Sequence, residues 1–320
     1  MKIIGFFKTK VTLLIALCIV CSFCCTAQSK LLDSVHRIVF LGNSITYAGN
    51  YITDLEAYFI THYPQKAYEF INVGLPSETV SGLSEPGHAD GKFPRPDLHE
   101  RLARVLLLTK PDLVFICYGM NDGIYLPFDE SRFQEFKDGL IDVHNRIAQT
   151  GANIIHLTPP YYDELKGRNK GYEATLDRYA DWVLEQQKSA GWKVIDVHYP
   201  MKQFTKAHRA VDSIFGIAAF ALAKDGVHPG EAGHWIMAKQ ILLYLGENAV
   251  AAAPDIHAAI AAASQGEAIL KLVAQRQSVM KGAWLTAAGH KRPFMNVGLP
   301  LDEAKDKYIQ IEKEIRGLLQ

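Results

Sequence analysis

The chain alternates between short, continuously apolar runs and longer stretches whose apolar residues recur at helical spacing. Five runs are typical of strands buried on both faces: residues 37–41, 68–73, 112–118, 153–158 and 192–196. Helical spacing covers residues 50–63, 97–109, 129–150 and 173–190. Another helix follows residue 229, and its residues Ala232, Ile236, Ile241 and Leu245 are expected to face inward. Because strands and helices alternate, we predict an α/β fold, a three-layer α/β/α sandwich around a five-stranded parallel sheet.

The last part of the chain has a different pattern. An alanine-rich stretch at 249–254 marks a boundary, and helical spacing without strand runs follows at residues 255–263, 265–282 and 302–318. We predict a polar turn between the last two helices, containing Trp284-Leu285 and residues 289–293. Such a short, polar segment buries little core by itself. We therefore predict that residues 247–320 form a helical extension packed on a domain spanning residues 28–246.

The first 27 residues resemble a secretory signal peptide. Three lysines precede the apolar run at 11–20, which is too short for a membrane span, and small residues at 25–27 offer a cleavage site. We therefore predict a periplasmic or secreted protein without a membrane span. Four of the five cysteines lie in this segment, which raises a lipid anchor as an alternative. We favour the soluble form, because Phe23 before Cys24 is too large for a lipobox.

The charge balance limits the classes of partner. The chain has 34 basic and 34 acidic residues, a formal net charge of zero. Nothing in this balance favours nucleic acid or an acidic membrane surface as a partner. A small molecule or a polysaccharide remains the expected kind of ligand.

Polar residues follow several of the predicted strands. Four blocks stand out, namely Gly42-Asn43-Ser44, Asn72-Val73-Gly74, Gly119-Met120-Asn121-Asp122 and Asp225-Gly226-Val227-His228. In a parallel sheet the carboxyl ends of the central strands meet at one crevice, where ligands bind. We therefore expect the four blocks to converge on one site.

These blocks contain the groups that acyl transfer requires. Ser44 is the candidate nucleophile and His228 its base, with Asp225 orienting the imidazole. The backbone N–H groups of Ser44 and Gly74 and the side-chain amide of Asn121 are the candidate oxyanion donors. The same residue types also cap helices and form turns, so each position has a purely structural alternative.

Other polar residues close to the blocks are predicted to be structural. Cys117 lies within a strand run, which is typical of a buried, inert thiol. Asp122 is expected to brace its turn, and His234 to be a surface or core residue rather than a second base. The twelve histidines lack metal-ligand spacing, so no metal site is predicted.

The four blocks resemble those of the SGNH hydrolases, the superfamily of GDSL-type esterases. The residues that give the superfamily its name are matched here by Ser44, Gly74, Asn121 and His228. The resemblance covers residues 36–246 and implies a flavodoxin-like α/β/α fold with no metal or organic cofactor. It also implies deacylation of lipids, thioesters, peptidoglycan or polysaccharides. Asn43 stands where the family usually has aspartate, which should alter hydrogen bonding around the serine turn, because the triad acid corresponds to Asp225.

We predict from these observations an exported serine esterase that removes acyl groups, O-acetyl groups on carbohydrate in particular. The loops carry tyrosines suited to stacking on sugars, with ordinary packing as the alternative role, and these are Tyr47, Tyr51, Tyr125, Tyr161 and Tyr162. A lipase or thioesterase with an apolar tunnel for longer acyl chains is the first alternative. A non-catalytic carbohydrate-binding protein on the same fold is the second.

Overall fold

The structure is a computed structural model and describes residues 34–320. The predicted signal peptide and its four cysteines lie outside the described residues. Five strands form one sheet, and every neighbouring pair is parallel. The strands are β1 (Arg37–Gly42), β2 (Glu69–Asn72), β3 (Leu113–Cys117), β4 (Asn153–Leu157) and β5 (Lys193–Ile195), in the order β2-β1-β3-β4-β5.

Helices account for most of the remaining described chain. The α-helices are α1 (Ser44–Ala48), α2 (Asn50–His62), α3 (Leu102–Thr109), α4 (Glu130–Ala148), α5 (Tyr172–Ser189), α6 (His198–Phe215), α7 (Glu231–Tyr244), α8 (Ile256–Ile260), α9 (Gly266–Ala288) and α10 (Leu301–Leu318). Short 3-10 segments occur at His88–Gly91, Leu98–Glu100 and Asn248–Ala252. Within residues 34–320, none of the helices has the length and apolar character that a membrane crossing requires.

The sheet is covered on both faces, which confirms the predicted three-layer α/β fold. The chain moves from β1 to β2 in one direction and from β3 through β5 in the other. Right-handed crossovers then place α2 on one face and α4 and α5 on the opposite face. On the first face α2 packs against α7. On the second, the ring of Phe136 in α4 stacks 4.6 Å from that of Tyr179 in α5. The strand order reverses between β1 and β3, so a crevice opens where these strands end.

Three local predictions differ from the structure. Helix α6 was not predicted, because its buried stripe is narrow and several of its large apolar residues are exposed. Trp284 and Leu285 are buried residues of α9 and not part of a turn, since the helix continues until Gly289, where φ is +67°. Ala232 of α7 was expected to face inward but is exposed.

The C-terminal helices cover the β2 edge of the sheet. Helix α9 contacts α2, β2 and α3, and α10 packs on α9. Gln277 donates from Nε2 to the carbonyl oxygen of Phe70 in β2 at 2.9 Å, which satisfies an edge acceptor. The Nη2 of Arg276 lies 2.8 Å from Oε1 of Glu56 in α2, and both side chains are buried. Helix α9 therefore covers the β2 edge through Gln277 and forms a buried ion pair with α2 through Arg276.

Candidate active site

Ser44 lies at the turn between β1 and α1. Asn43 caps the helix, and its Oδ1 accepts a hydrogen bond from the N–H of Ile45 at 3.2 Å. Gly42 is required by space, because a Cβ there would lie 2.1 Å from Oγ1 of Thr46. Ser44 is the first residue of α1, where a backbone N–H has no partner within the helix. The turn therefore presents a hydroxyl and an N–H group at the same residue.

The structure brings the predicted nucleophile, base and acid together. His228 Nε2 lies 2.9 Å from Ser44 Oγ, and His228 Nδ1 lies 2.6 Å from Asp225 Oδ2. Asp225 Oδ1 also accepts hydrogen bonds from the N–H groups of Val227 and His228, at 2.9 and 2.8 Å. Burial alone would raise the pKa of Asp225, but the hydrogen bonds from His228 and Val227 hold it below its ordinary value. Asp225 therefore stays ionised and faces the imidazole at neutral pH.

Asn121 lies in the turn after β3, and its amide is held by two neighbours. Its Nδ2 donates to the carbonyl oxygen of Glu78 at 3.1 Å, and its Oδ1 accepts from the hydroxyl of Tyr125 at 3.1 Å. The guanidinium of Arg95 lies 5.2 Å from the centroid of the Tyr125 ring and pairs with Glu85. A primary amide has two N–H groups, so one remains for a further acceptor.

Gly74 follows β2 and packs against the first turn of α1. A Cβ at Gly74 would lie 2.4 Å from the backbone nitrogen of Tyr47, so only glycine fits. Its N–H donates to Oδ1 of Asn72 at 2.9 Å, and Nδ2 of Asn72 donates to the carbonyl oxygen of Thr46 at 2.7 Å. Asn72 thus ties Gly74 to α1. Because the N–H of Gly74 already has this acceptor, its predicted role toward an oxyanion stays a prediction.

A buried ion pair lies beneath these loops. Arg101 donates from Nε and Nη2 to the carboxylate of Glu78 at 2.6 and 2.7 Å, and from Nη2 to the carbonyl oxygen of Val73 at 2.7 Å. The hydroxyl of Tyr118 donates to Oε2 of Glu78 at 2.5 Å. Glu78 and Arg101 are almost fully buried. The pair therefore connects Val73, which precedes Gly74, with Glu78, whose carbonyl oxygen accepts the hydrogen bond from Asn121.

Three polar residues near the site have structural environments. The carboxylate of Asp122 accepts from the N–H groups of Val80, Ser81 and Gly119 at 2.8 to 2.9 Å and braces its turn. Burial lowers the pKa of His234 to about 4 and raises that of the Cys117 thiol to about 12. His234 is therefore a neutral core residue, and Cys117 is an inert thiol. No group of three or more His, Cys, Asp or Glu in residues 34–320 could hold a metal ion.

The five tyrosines predicted to stack on sugars divide into two groups. Tyr51, Tyr161 and Tyr162 are buried in the core, so the prediction was wrong for them. Their rings pack against other side chains and have no face open to a ligand. Tyr47 and Tyr125 are partly exposed; Tyr125 donates to Asn121, and Tyr47 follows Ser44 by three residues in α1.

Sequence reasoning missed several residues that position the site. Glu78 and Arg101 lie in a loop and before a helix, and nothing in the local pattern indicates that they pair across 23 residues. Asn72 was recognised as part of a block, but its bonds to Gly74 and Thr46 were not. The one available signal for the pair was Arg101 itself, immediately before the apolar residues of α3. A charge buried beside such a helix needs a partner.

Comparisons with known proteins find a matching family and a similar esterase. The profile of the GDSL-like Lipase/Acylhydrolase family matches residues 40–236. An acetylxylan esterase from Geobacillus stearothermophilus is 23% identical over 235 residues, which are 67% of this chain and 96% of that protein.

Solved structures share the fold. The crystal structure of that acetylxylan esterase, at 23% identity, has a TM-score of 0.50 over 66% of this chain and 94% of its own. A gut microbial diltiazem-metabolizing enzyme has a TM-score of 0.53 at 24% identity over 66% of this chain, and the match spans only 47% of that enzyme. An alpha/beta hydrolase from the metagenome of Lake Arreo, Spain, is 25% identical with a TM-score of 0.50, over 66% of this chain and 95% of its own.

Proposed function

This chain belongs to the GDSL-like lipase/acylhydrolase family of carboxylic ester hydrolases, and we propose that it removes O-acetyl groups from carbohydrate through an acyl-enzyme. The observation that carries the mechanism is the chain of contacts from Ser44 Oγ to His228 to Asp225, at 2.9 and 2.6 Å. This is the order that a serine nucleophile, its base and an orienting acid require.

The proposed reaction has two steps. Ser44 Oγ attacks the ester carbonyl while His228 Nε2 accepts the hydroxyl proton, and the alkoxide leaves with that proton as the acyl-enzyme forms. A water molecule, deprotonated by the same imidazole, then attacks the acyl-enzyme, releasing the carboxylic acid and restoring Ser44. The second N–H of the Asn121 amide and the N–H of Ser44 are the oxyanion donors in both steps, and Gly74 joins them if its N–H is released from Asn72.

The open position of the site supports a carbohydrate substrate. The side chains of His228 and Asp225 are 53% and 56% exposed, so a long, hydrated chain can approach the reacting atoms. An acyl tunnel for a lipid would instead enclose the site in apolar side chains. Similarity to an acetylxylan esterase supports the acetyl group as the acyl part. The signal-like sequence of residues 1–27 underlies the further proposal that the enzyme is exported.

Acetate release tests the proposal directly. We expect acetate from acetylated xylan or a related polysaccharide, and faster hydrolysis of nitrophenyl acetate than of long-chain nitrophenyl esters. Preference for long acyl chains would favour the lipase or thioesterase alternative. A protein inert toward all of these esters and toward a serine-directed phosphonate would favour the binding-protein alternative.

Substitution of the nucleophile tests the mechanism. Ser44→Ala should lower kcat by at least about 10⁴-fold, because the acyl-enzyme cannot form. The matched control is Ser189→Ala at the end of α5, where the hydroxyl bonds to the carbonyl oxygen of Glu185. The control should keep full activity, and both variants should retain the wild-type circular dichroism spectrum. Undiminished activity in Ser44→Ala would end the proposed mechanism.

A further inference from the structure

Two cations of the C-terminal extension bond to the segments that follow Ser44 and Gly74. Lys281 of α9 donates from Nζ to the carbonyl oxygen of Tyr47 at 2.6 Å, and its Nζ lies 4.2 Å from the centroid of the Tyr47 ring. Arg292, after α9, donates from Nε to the carbonyl oxygen of Pro76 at 3.0 Å. Tyr47 lies nearly one helical turn beyond Ser44, and Pro76 follows Gly74 by two residues. Residues outside the matched segment 40–236 therefore border the site.

Aromatic rings continue this surface away from Ser44. The guanidinium of Arg292 lies 5.1 Å from the centroid of the Phe93 ring, and the Phe93 and Phe294 rings are 6.0 Å apart. Phe294 is 78% exposed, which is unusual for a phenylalanine next to other apolar rings. We call Tyr47, Phe93, Lys281, Arg292 and Phe294 the rim cluster. It offers both cations and apolar ring faces.

The cations of the rim cluster have no carboxylate partner among residues 34–320. Neither Lys281 nor Arg292 forms an ion pair there, whereas neighbouring arginines do, as in Arg95 with Glu85 and Arg101 with Glu78. Burial lowers the pKa of both Lys281 and Arg292. A partly buried cation without a counter-charge is unfavourable, and an anion supplied by a ligand would remove that cost.

We propose that the rim cluster binds a sugar carboxylate, so that the enzyme prefers acetylated polysaccharides that carry uronic acid residues. The guanidinium of Arg292 and the ammonium of Lys281 provide charge-assisted hydrogen bonds to the carboxylate. The exposed face of Phe294 and the partly exposed ring of Tyr47 pack on the apolar faces of the sugar rings. This inference rests on the proposed carbohydrate esterase function and names its substrate class.

A matched pair of substrates tests the proposal. Acetate release is measured on acetylated xylo-oligosaccharides of equal length, with and without a glucuronic acid branch. We expect the wild-type protein to have a higher kcat/KM for the acidic substrate. Arg292→Gln should lower the ratio of acidic to neutral kcat/KM about ten- to a hundredfold, mainly through KM, because it removes a charge-assisted contact. Arg292→Lys, which keeps the charge, should recover part of that ratio.

The control lies one residue away. Lys291 is 81% exposed and its Nζ lies 3.7 Å from Glu100, so Lys291→Gln should leave the ratio unchanged. If Arg292→Gln does not fold, Lys281→Met provides the second variant and should lower the ratio in the same direction. Equal wild-type rates on both substrates, or equal losses on both in Arg292→Gln, would overturn the proposal. Equal losses would assign Arg292 to support of the Pro76 loop.

Binding separates this proposal from the proposed function. Calorimetry with Ser44→Ala and deacetylated oligosaccharides does not depend on turnover. Tighter binding of the acidic oligosaccharide, weakened by Arg292→Gln, would support the rim cluster even if the protein hydrolysed no ester. Equal affinity for the two oligosaccharides would refute the rim cluster while leaving an observed esterase activity in place.

Discussion

Removing the cation of the buried Glu78–Arg101 pair should damage both stability and activity. Arg101→Met keeps an unbranched apolar stem of similar reach but deletes the two bonds to Glu78 and the bond to the carbonyl oxygen of Val73. The carboxylate of Glu78 would stay buried with only the hydroxyl of Tyr118 beside it. Breaking one partner of a buried pair costs about 3–5 kcal/mol. Burial raises the pKa of Glu78, although Arg101 opposes this shift. Without Arg101, Glu78 should take up a proton, so the loss of unfolding free energy should lie toward the lower end of this range.

Urea unfolding followed by circular dichroism measures this loss. A matched control is Arg146→Met, whose surface pair with Asp142 at 2.6 Å has both side chains nearly half exposed. The control should lose less than about 1 kcal/mol. Adding Glu78→Gln to Arg101→Met removes the uncompensated charge and should recover most of the unfolding free energy.

Activity should not recover with stability in the double variant. The bond that holds Val73 next to Gly74 is still missing, and the loop that positions Asn121 through the Glu78 carbonyl is less restrained. Loss of one oxyanion donor lowers kcat about 10²–10³-fold. Partial misplacement of the proposed donors should therefore lower kcat on nitrophenyl acetate roughly tenfold. Wild-type stability in Arg101→Met would refute the burial argument. Wild-type activity in the double variant would show that the pair does not position the proposed oxyanion donors.

Two further predictions concern stability. Burial raises the pKa of Asp54 to about 7, with His257 opposing and Glu231 adding to the shift, so the folded state holds a proton that the unfolded chain has released. The unfolding free energy should therefore fall as pH rises from about 4 to 7. Asp54→Asn should remove this pH dependence and stabilise the protein at about pH 8 by up to ~4 kcal/mol, whereas the surface variant Asp306→Asn should do neither. Urea titrations that give Asp54→Asn the same pH dependence as the wild type would contradict this. Arg276→Met leaves Glu56 buried without its cation and should lower the unfolding free energy by about 3–5 kcal/mol. An unchanged urea midpoint would mean that the Arg276–Glu56 pair does not stabilise the contact between α9 and α2.

The sheet and the Asp225–His228 pair could be predicted because both depend on local sequence features. Most strand residues are buried and apolar, and such runs are visible without any knowledge of their neighbours. The polar blocks stand at strand ends, and parallel pairing alone brings Ser44 and Asn121 to one crevice. Asp225 and His228 are three residues apart, so their pairing needs no long-range information.

The positioning contacts could not be predicted because they join residues that are remote in sequence. Gln277 meets the carbonyl of Phe70 across 207 residues, and Lys281 meets that of Tyr47 across 234. The local sequence does not show whether a lysine or glutamine on a helix contacts a buried partner or faces solvent. Tyr51, Tyr161 and Tyr162 failed as sugar contacts for the same reason, since the burial of a tyrosine depends on packing that the chain's local pattern does not contain.

The contacts of Tyr47 and Pro76 link the extension to the chemistry. Tyr47 lies in the helix that begins with Ser44, and Pro76 lies in the loop that begins with Gly74. Lys281 and Arg292 hold the backbone carbonyls of these two residues, so α9 and the turn after it support two of the blocks from outside the matched segment. A substitution at either position should move the bonded segment, because it removes the bond to the backbone carbonyl. It should also change substrate preference, because neither cation has a carboxylate partner within residues 34–320. A lysine at position 292 keeps the charge but cannot reproduce the planar donor fork, and comparison of Arg292→Lys with Arg292→Gln therefore separates the two effects.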